Sequence, residues 1–406
     1  MSALPPPTTD PELKMLLPEN DEPEPELSIV IPALNEEITI GEFVAWCHEG
    51  LQKAGIKGEI VIVDSSTDAT AERALKAGAR VLKAPKRGLG RAYIDAIPFI
   101  RGKYVMMGDC DCTYDFRELK PFVEKFREGY EFIMGSRFKG YIEPGAMPPL
   151  HRYFGTPVTT WILNVIFASS FTDIHCGMRG LTKDALMRID LQSQGWEYAS
   201  ELVLKSVHAK LRTAEVPIRF LKDREGRLSH HKRMGWLSPW IAGWDNLRAM
   251  FVYGAHFFLY RPGWVLLLLG LLVTLPQATG PVTMLGITFS LHWMLFGLSA
   301  CIVGLQSIYL GILMKVLFDF TGEATPVWLR RFKYDRAVPA SIIAGVAGVG
   351  FGIPLVLDYA QSGLQLSTLG TKSHLAVLGL LVAVAAFMTF TFTLVLHATQ
   401  VARRRR

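Results

Sequence analysis

The alternation of polar and apolar positions along this 406-residue chain changes rhythm three times. Behind an acidic, proline-rich start, short apolar runs read as strands: Leu27-Ser28-Ile29-Val30-Ile31-Pro32, Glu59 to Val63, Arg80 to Leu82, Lys103 to Met107 and Glu131 to Met134. Helical patterns lie between them. One opens at Asn35-Glu36-Glu37 and runs to about Lys53, one follows Asp68 as a capping residue and continues through Gly78, and one follows Lys86-Arg87-Gly88-Leu89-Gly90-Arg91. Strands alternating with helices predict a parallel α/β sheet. Two more helices, Thr159 to Ser169 and Glu197 to Lys205, and a late strand from Thr213 to Phe220 lead to a basic loop, Lys222 to Arg233. The rhythm then becomes amphipathic. Trp236, Leu237, Trp240, Ile241, Trp244, Leu247, Met250 and Phe251 repeat at helical spacing, as in a helix lying in a membrane interface. Finally, four stretches are apolar throughout, at about 263–280, 290–315, 340–360 and 375–399. Each approaches the roughly 20 residues needed to cross a ~30 Å hydrocarbon core.

Composition agrees with this division. Half of the residues are hydrophobic and mean hydropathy is +0.24, which fits a soluble domain joined to membrane helices. The expected organisation is a disordered tail at 1–26, an α/β domain at 27–233, interfacial amphipathic helices at 234–260, a transmembrane domain at 261–402 and a basic tail at 403–406. Net charge is +6, and the excess is local: Arg224 to Arg233, Arg330 to Arg336 and the four terminal arginines. Beside apolar spans such patches meet membrane surface or phosphate, and no nucleic-acid signature accompanies them. The segment from Lys315 to Arg336 carries five basic residues and the tail four, whereas the other two loops carry only Lys372. The positive-inside rule therefore puts that segment, the tail and the α/β domain on the cytoplasmic side. Five scattered cysteines give no disulfide framework and suit a reducing compartment, with Cys110 and Cys112 as small residues lining a strand end. The acidic, proline-rich start does not read as a signal peptide. Gly345, Gly348 and Gly352 allow close helix approach, a route to oligomers or simply to lipid packing.

Ligands of parallel sheets bind beyond the carboxyl ends of the strands, and Asp64, Gly88 and Asp109 all fall there. Asp109-Cys110-Asp111 places two carboxylates around one residue at the end of a buried strand. Mg²⁺ and Mn²⁺ take hard oxygen ligands, often one or two carboxylates plus substrate phosphates. Asp115 reads best as a helix cap. Asp64 either caps a helix or accepts a hydrogen bond from a base. Gly88-Leu89-Gly90 either cradles phosphate on backbone amides or makes a plain tight turn. Arg137 and Arg179 each follow a glycine-containing turn and, with Arg224, Arg227, Ser229 and Lys232, suit an anionic group. His230 and His231 belong at the headgroup level, and Glu197 and Glu201 in a structural role.

Six motifs in order, Pro32-Ala33-Leu34-Asn35-Glu36-Glu37, Asp64-Ser65-Ser66-Thr67-Asp68, Gly88-Leu89-Gly90, Asp109-Cys110-Asp111, Gly135-Ser136-Arg137 and Cys176-Gly177-Met178-Arg179, resemble those of family 2 glycosyltransferases. More closely, the chain resembles the polyprenyl-phosphate type, such as dolichyl-phosphate mannose or glucose synthases, over about residues 27–260. The resemblance implies a GT-A fold: a nucleotide-sugar-binding α/β domain with a mostly parallel sheet, followed here by interfacial helices and four transmembrane helices. It implies that Pro32, Leu34, Asn35, Glu36 and Asp64 hold base and ribose, with Gly88 and Gly90 alongside. It places diphosphate and a Mg²⁺ or Mn²⁺ cofactor at Asp109, Asp111 and Thr113, with Arg137 in the catalytic set. It puts the acceptor phosphate near Arg179, Arg224, Arg227, Ser229 and Lys232. Two departures stand out. The Asp64 segment is one residue shorter than the common Asp-Asp-Gly-Ser-Thr-Asp form, and the basic loop lacks the usual Ser-Lys.

The implied reaction is attack of a polyprenyl phosphate (undecaprenyl or dolichyl) on the anomeric carbon of a nucleotide sugar, UDP-glucose or GDP-mannose foremost, with inversion. The implied location is a bacterial inner membrane. A phosphate monoester is already anionic at neutral pH, so no general base is needed. The work is charge stabilisation and positioning. A processive polysaccharide synthase would need a Gln-x-x-Arg-Trp-like segment, and Val327-Trp328-Leu329-Arg330-Arg331 has the wrong order. A non-catalytic nucleotide-binding scaffold would not need the intact Asp pair and basic loop.

Overall fold

The apolar runs assemble into one eight-stranded sheet: β1 (Lys14–Leu16), β2 (Leu27–Ala33), β3 (Gly58–Asp64), β4 (Arg80–Lys83), β5 (Tyr104–Met107), β6 (Phe132–Ile142), β7 (Arg179–Thr182) and β8 (Thr213–Phe220). Their spatial order is β1-β4-β3-β2-β5-β7-β6-β8. The computed structural model describes residues 10–167, 169–224, 244, 248, 251–252, 254–284, 286–319, 322–365 and 370–403. Contacts divide the chain into two units, Met1–Met250 and Phe251–Arg406.

Within the first unit, β4, β3, β2 and β5 run parallel. β6 and β8 run the same way, and only β1 and β7 are antiparallel to their neighbours. Ile29, Val30, Ile31, Val61 and Val105 are completely buried, as expected of strands covered on both faces. The covering helices are α1 (Ile40–Ala54), α2 (Thr70–Lys76), α3 (Leu89–Ala96), α4 (Lys120–Arg127), α5 (Thr156–Phe167), α6 (Lys183–Ile189) and α7 (Tyr198–His208). α1 turns Phe43, Val44, Cys47 and Leu51 inward at helical spacing, and Phe43 meets Phe116 edge-on at 5.0 Å. Truncating Phe43 to alanine would cost about 3–5 kcal/mol.

Three differences from the sequence expectation have physical reasons. First, α1 starts at Ile40 rather than at Asn35. The amides of Asn35, Glu36 and Glu37 donate instead to Ser66 Oγ, Thr70 Oγ1 and Asp68 Oδ2 of the neighbouring loop. Second, the acidic segment before Leu27 is ordered from Asp10 onward. β1 pairs with β4 as an edge strand, Lys14 opposite Lys83. Asp10 and Glu12 meet Arg87, and Asp21 forks onto Arg101 at 2.8 and 2.9 Å. The same Arg101, together with Arg80, reaches the buried Glu59. Composition alone suggested disorder because the partners of these carboxylates are far away in sequence. Third, β7 is a short antiparallel strand between β5 and β6, too brief to stand out in the apolar pattern.

In the second unit, α8 (Ala255–Thr274), β9 (Val282–Met284), β10 (Ile287–Phe289), α9 (Leu291–Leu317), α10 (Ala324–Arg331), α11 (Tyr334–Gly350), α12 (Ile353–Gln361) and α13 (Thr371–Arg403) follow in order. Among the described residues, four segments are long and apolar enough to cross a membrane: Ala255–Gln277, Leu291–Leu317, Tyr334–Gln361 and Thr371–Val401. The third is a broken span in which Pro354 begins a new helix. α8 and α9 approach closely along glycines spaced by seven. A Cβ on Gly263 would strike the Gly304 backbone, and one on Gly270 would strike that of Gly297. Gly348 packs likewise on Gly379 and Ala383 of α13, so the close approach foreseen for this stripe is used inside the chain. Most of the repeat from Trp236 to Phe251 lies outside the described residues.

Candidate active site at the carboxyl edge of the sheet

Three parallel strands end in line, Ala33 opposite Asp64 and Asp64 opposite Lys83, and β5 ends at Met107 opposite Val30 of β2. Because β7 runs antiparallel, its first residue, Arg179, stands opposite both Met107 and Met134. The topology therefore brings the segment Cys176–Arg179 to the same edge as Asp64 and Asp109. The connections reverse direction at β2 and β5, the position where open α/β sheets form a ligand crevice.

One wall of that crevice is two loops stitched together. Asn35 adopts a left-handed conformation, φ 56°, and its Oδ1 accepts the Thr67 amide at 3.0 Å. Glu36 is buried, and Thr39 Oγ1 donates to its carboxylate at 3.3 Å. Asp64 is 1 % exposed. It accepts Lys83 Nζ at 2.6 Å and the Ser66 amide at 3.2 Å. Lys83 was not singled out from sequence; its place in register with Asp64 is the only signal. Pro32, inside β2, accepts a contact from Cys110 Sγ at 3.6 Å, linking this wall to the acidic pair. Leu34 is half-buried on the same turn. The five residues expected around a nucleotide thus do converge.

In the acidic segment, Cys110 and Cys112 turn inward and are buried, while Asp109 and Asp111 keep partial exposure. Cys112 takes φ 60° to make this turn. Thr113 donates its amide (3.0 Å) and hydroxyl (2.6 Å) to Asp111 Oδ1, so it aims the carboxylate. Gly177 lies against Asp109: a Cβ there would stand 2.6 Å from Asp109 Oδ2. Its amide donates to Tyr114 Oη at 2.9 Å. Burial pushes the phenols of Tyr93 and Tyr114 well up and that of Tyr198 to about 12, with the Asp109 charge adding to each. All three stay neutral, and Tyr93 donates to the Gly108 carbonyl at 3.0 Å. None of the three tyrosines, nor Gly177 alone, was picked out as a site residue. The glycine in Cys-Gly-Met-Arg was the available clue. Among the described residues no group of three or more His, Cys, Asp or Glu side chains converges. The donor set is the half-exposed carboxylate pair, which fits a hard divalent ion that keeps water and phosphate ligands.

Several other candidates have partners within the fold. Arg137 is buried and forks onto Asp173, Nε to Oδ2 at 2.6 Å and Nη2 to Oδ1 at 2.8 Å. Burial opposes its charge, but the Asp173 carboxylate holds it protonated well above the usual range. Arg179 is 1 % exposed and donates to the carbonyls of Cys176, Ala199 and Ile174 at 2.7, 2.8 and 3.0 Å. It ties the loop together and is not presented to an acceptor phosphate. The amides of Gly90 and Arg91 donate to Gly195 and Gln194. Gly88, at φ 121°, has no room for a Cβ beside the Gln194 carbonyl. The glycine turn therefore serves backbone packing, and these two amides are not offered to phosphate. Asp115 pairs with Arg117 at 2.7 Å and does not cap α4. Glu201 accepts the Gln192 and Ser193 amides and Lys205, and Glu197 accepts the Gly195 amide at 3.1 Å, as structural roles require. Arg224 pairs with Glu42 and lies over the Trp46 ring at 5.4 Å. Arg227, Ser229, His230, His231 and Lys232 lie outside the described residues.

The chain is similar to known proteins along most of its length. The pattern of Glycosyl transferase family 2 matches residues 28–190, and that of the Glycosyltransferase family 2 C-terminal transmembrane region matches residues 317–400. The low-salt glycan biosynthesis hexosyltransferase of Haloferax volcanii is 33% identical over 384 residues, covering 92% of this chain and 91% of its own. The dolichyl-phosphate hexose transferase of the same organism is 29% identical over 201 residues, 50% of this chain and 85% of its own. Among solved structures, mannosyl-3-phosphoglycerate synthase from Rubrobacter xylanophilus superposes with TM-score 0.43 at 21% identity, covering 55% of this chain and 72% of its own. Family pattern and full-length relative agree: the chain belongs to glycosyl transferase family 2, as a membrane-bound glycosyltransferase with that family's C-terminal transmembrane region.

Proposed function

We propose that the enzyme transfers a hexose from a nucleotide sugar, UDP-glucose or GDP-mannose, to a polyprenyl phosphate at the cytoplasmic membrane face. The product is a polyprenyl-phosphate sugar of inverted configuration, for cell-envelope glycan or glycoconjugate assembly. The observation that carries the reading is the meeting of Asp109 and Asp111 with the Asn35–Glu36 and Asp64 loops at one sheet edge, in a chain with four apolar spans. The relatives named as hexose transferases, one of them acting with dolichyl phosphate by name, support it.

In this reading Pro32, Leu34, Asn35, Glu36 and Asp64 line the nucleotide. Asp109 and Asp111 would hold Mg²⁺ or Mn²⁺, which when bound supplies positive charge against the diphosphate. Thr113 keeps Asp111 aimed and Gly177 leaves room for Asp109. Arg224, with Arg227, Ser229 and Lys232, receives the acceptor phosphate, Arg224 exchanging Glu42 for it. The attacking oxygen is already anionic, so these residues position and neutralise and need not remove a proton. The excess of basic residues between Lys315 and Arg336 supports the cytoplasmic orientation.

The test is transfer of radiolabel to a polyprenyl phosphate by purified full-length protein with Mg²⁺ or Mn²⁺, across UDP- and GDP-sugars. An acid-labile labelled lipid from one donor is expected. Label entering a free sugar polymer, or no lipid product from any donor, overturns the reading.

A further inference from the structure

Four cations in the second unit have no carboxylate partner among the described residues. Arg330 and Arg331 close α10, Lys333 precedes α11, and Arg336 stands in its first turn. Together with Ala337 they line a cavity of about 450 Å³. Among the described residues the acidic neighbour, Asp335, forms no ion pair with them; Arg330 Nε donates to the Pro326 carbonyl at 3.3 Å and Arg331 lies over the Trp328 ring at 5.9 Å. Elsewhere in the chain, exposed cations such as Arg188 and Lys372 have found acidic partners. Four like charges facing one space repel each other, and an anion placed there relieves that repulsion.

The cluster is held by its scaffold. Trp328, Leu329 and Phe332 pack on the core of Ile308, Ile312 and Leu396. His397 Nε2 donates to the Phe332 carbonyl at 2.9 Å. Directly beyond lies an apolar groove of about 530 Å³, lined by residues of α8, α9, α11 and α13 that include Leu267, Leu305, Ala344 and Leu381. Ala337 lines both spaces, and Phe332 faces the groove from between Arg331 and Lys333. A cationic cradle that opens onto one hydrocarbon groove has the shape of a lipid with a phosphate head and a single tail.

We propose that Arg330, Arg331, Lys333 and Arg336 hold the phosphate of a polyprenyl phosphate whose chain enters the groove, at a site made wholly by the second unit. Charge complementarity selects the occupant. A phosphate monoester carries nearly two negative charges at neutral pH, a phospholipid diester only one, and guanidinium groups match phosphate oxygens in pairs. The inference rests on the polyprenyl-phosphate acceptor argued above and adds a second place where that lipid is held.

The test is native mass spectrometry of the full chain in detergent, titrated with a polyprenyl phosphate and separately with phosphatidylglycerol. A photoreactive polyprenyl phosphate maps the contact. The wild type is expected to take up a second copy of the polyprenyl phosphate, cross-linked within 330–344. The combined variant Arg330→Gln, Arg331→Gln, Lys333→Gln, Arg336→Gln is expected to lose that second copy, its affinity falling about tenfold or more. Nucleotide-sugar binding, retained, reports that the variant is folded. Ala344→Phe, which fills the groove and leaves the cations, is expected to show the same loss. Unchanged lipid uptake by the cradle variant overturns the inference, as does phosphatidylglycerol competing equally for the site. Transfer of label is followed in the same samples. Transfer with lipid uptake indifferent to the cradle defeats this inference alone. Cradle-dependent binding without transfer by the wild type defeats the acceptor assignment alone.

Discussion

Charge is treated in two opposite ways within the first unit. Arg137 with Asp173, Arg179 with three carbonyls, and Glu59 with Arg80 and Arg101 are buried and closed upon themselves. Asp109 and Asp111 sit at the same end of the sheet as Arg137 and Arg179, with the Glu59 set at the other end, yet keep part of their surface open. In the closed sets the partners offset the desolvation of each charge, and the result is a fixed loop. At the acidic pair the neighbours aim the carboxylates: Thr113 steers Asp111, and the missing side chain of Gly177 makes room for Asp109. The closed arginines build the wall, and the open aspartates face what enters.

The sharpest way to break this division is Asp111→Ala. Transfer should fall by on the order of 10³-fold, with the melting temperature nearly unchanged. Normal turnover would move the chemistry elsewhere. Asp173→Asn should do the reverse in kind. It leaves a buried guanidinium without its counter-charge, and stability should drop by about 3–5 kcal/mol in chemical denaturation. Pairing Asp173→Leu with Arg137→Met should recover most of it. If the double variant is no better than the single one, Arg137 has a task beyond the ion pair. Gly177→Ala lies between the two classes. Its methyl would push Asp109 aside, and kcat should fall about 10²-fold with little change in melting. An unaltered kcat would mean that the Asp109 carboxylate tolerates displacement. The smallest effect concerns pH. Burial, with the charges of Arg137 and Arg179, lowers His175 to about 4, so its ring stays neutral while it bonds Thr159 Oγ1 at 2.7 Å. As pH falls from about 6.5 toward 4 the unfolded chain takes up this proton and the folded chain does not, so stability declines. His175→Gln should flatten that part of the melting profile, and an identical profile would acquit His175.

Much of this could be read from the chain. The strand ends carrying Asp64 and Asp109 were legible because short continuous apolar runs and their polar stops are local signals. The four spans were legible by length. The fate of each arginine was not. Arg179 follows a glycine turn just as a phosphate-binding residue would, and only β7, running antiparallel between β5 and β6, turns it toward three carbonyls. The Gly88 turn was ambiguous for a similar reason: its use depends on Gln194, more than a hundred residues away. The seven-residue glycine spacing in α8 and α9 was present in the sequence but is faint against a uniformly apolar background.

The small strand β1 has a consequence for handling this protein. It covers the outer side of β4, which would otherwise present a row of backbone donors and acceptors to any passing copy. A chain trimmed to begin at Glu24, on the view that the acidic start is dispensable, would bare that edge. In a bilayer, where copies are confined to a plane, such an edge invites strand pairing between molecules. The short, lysine-bearing strand β1 is better understood as a guard against aggregation.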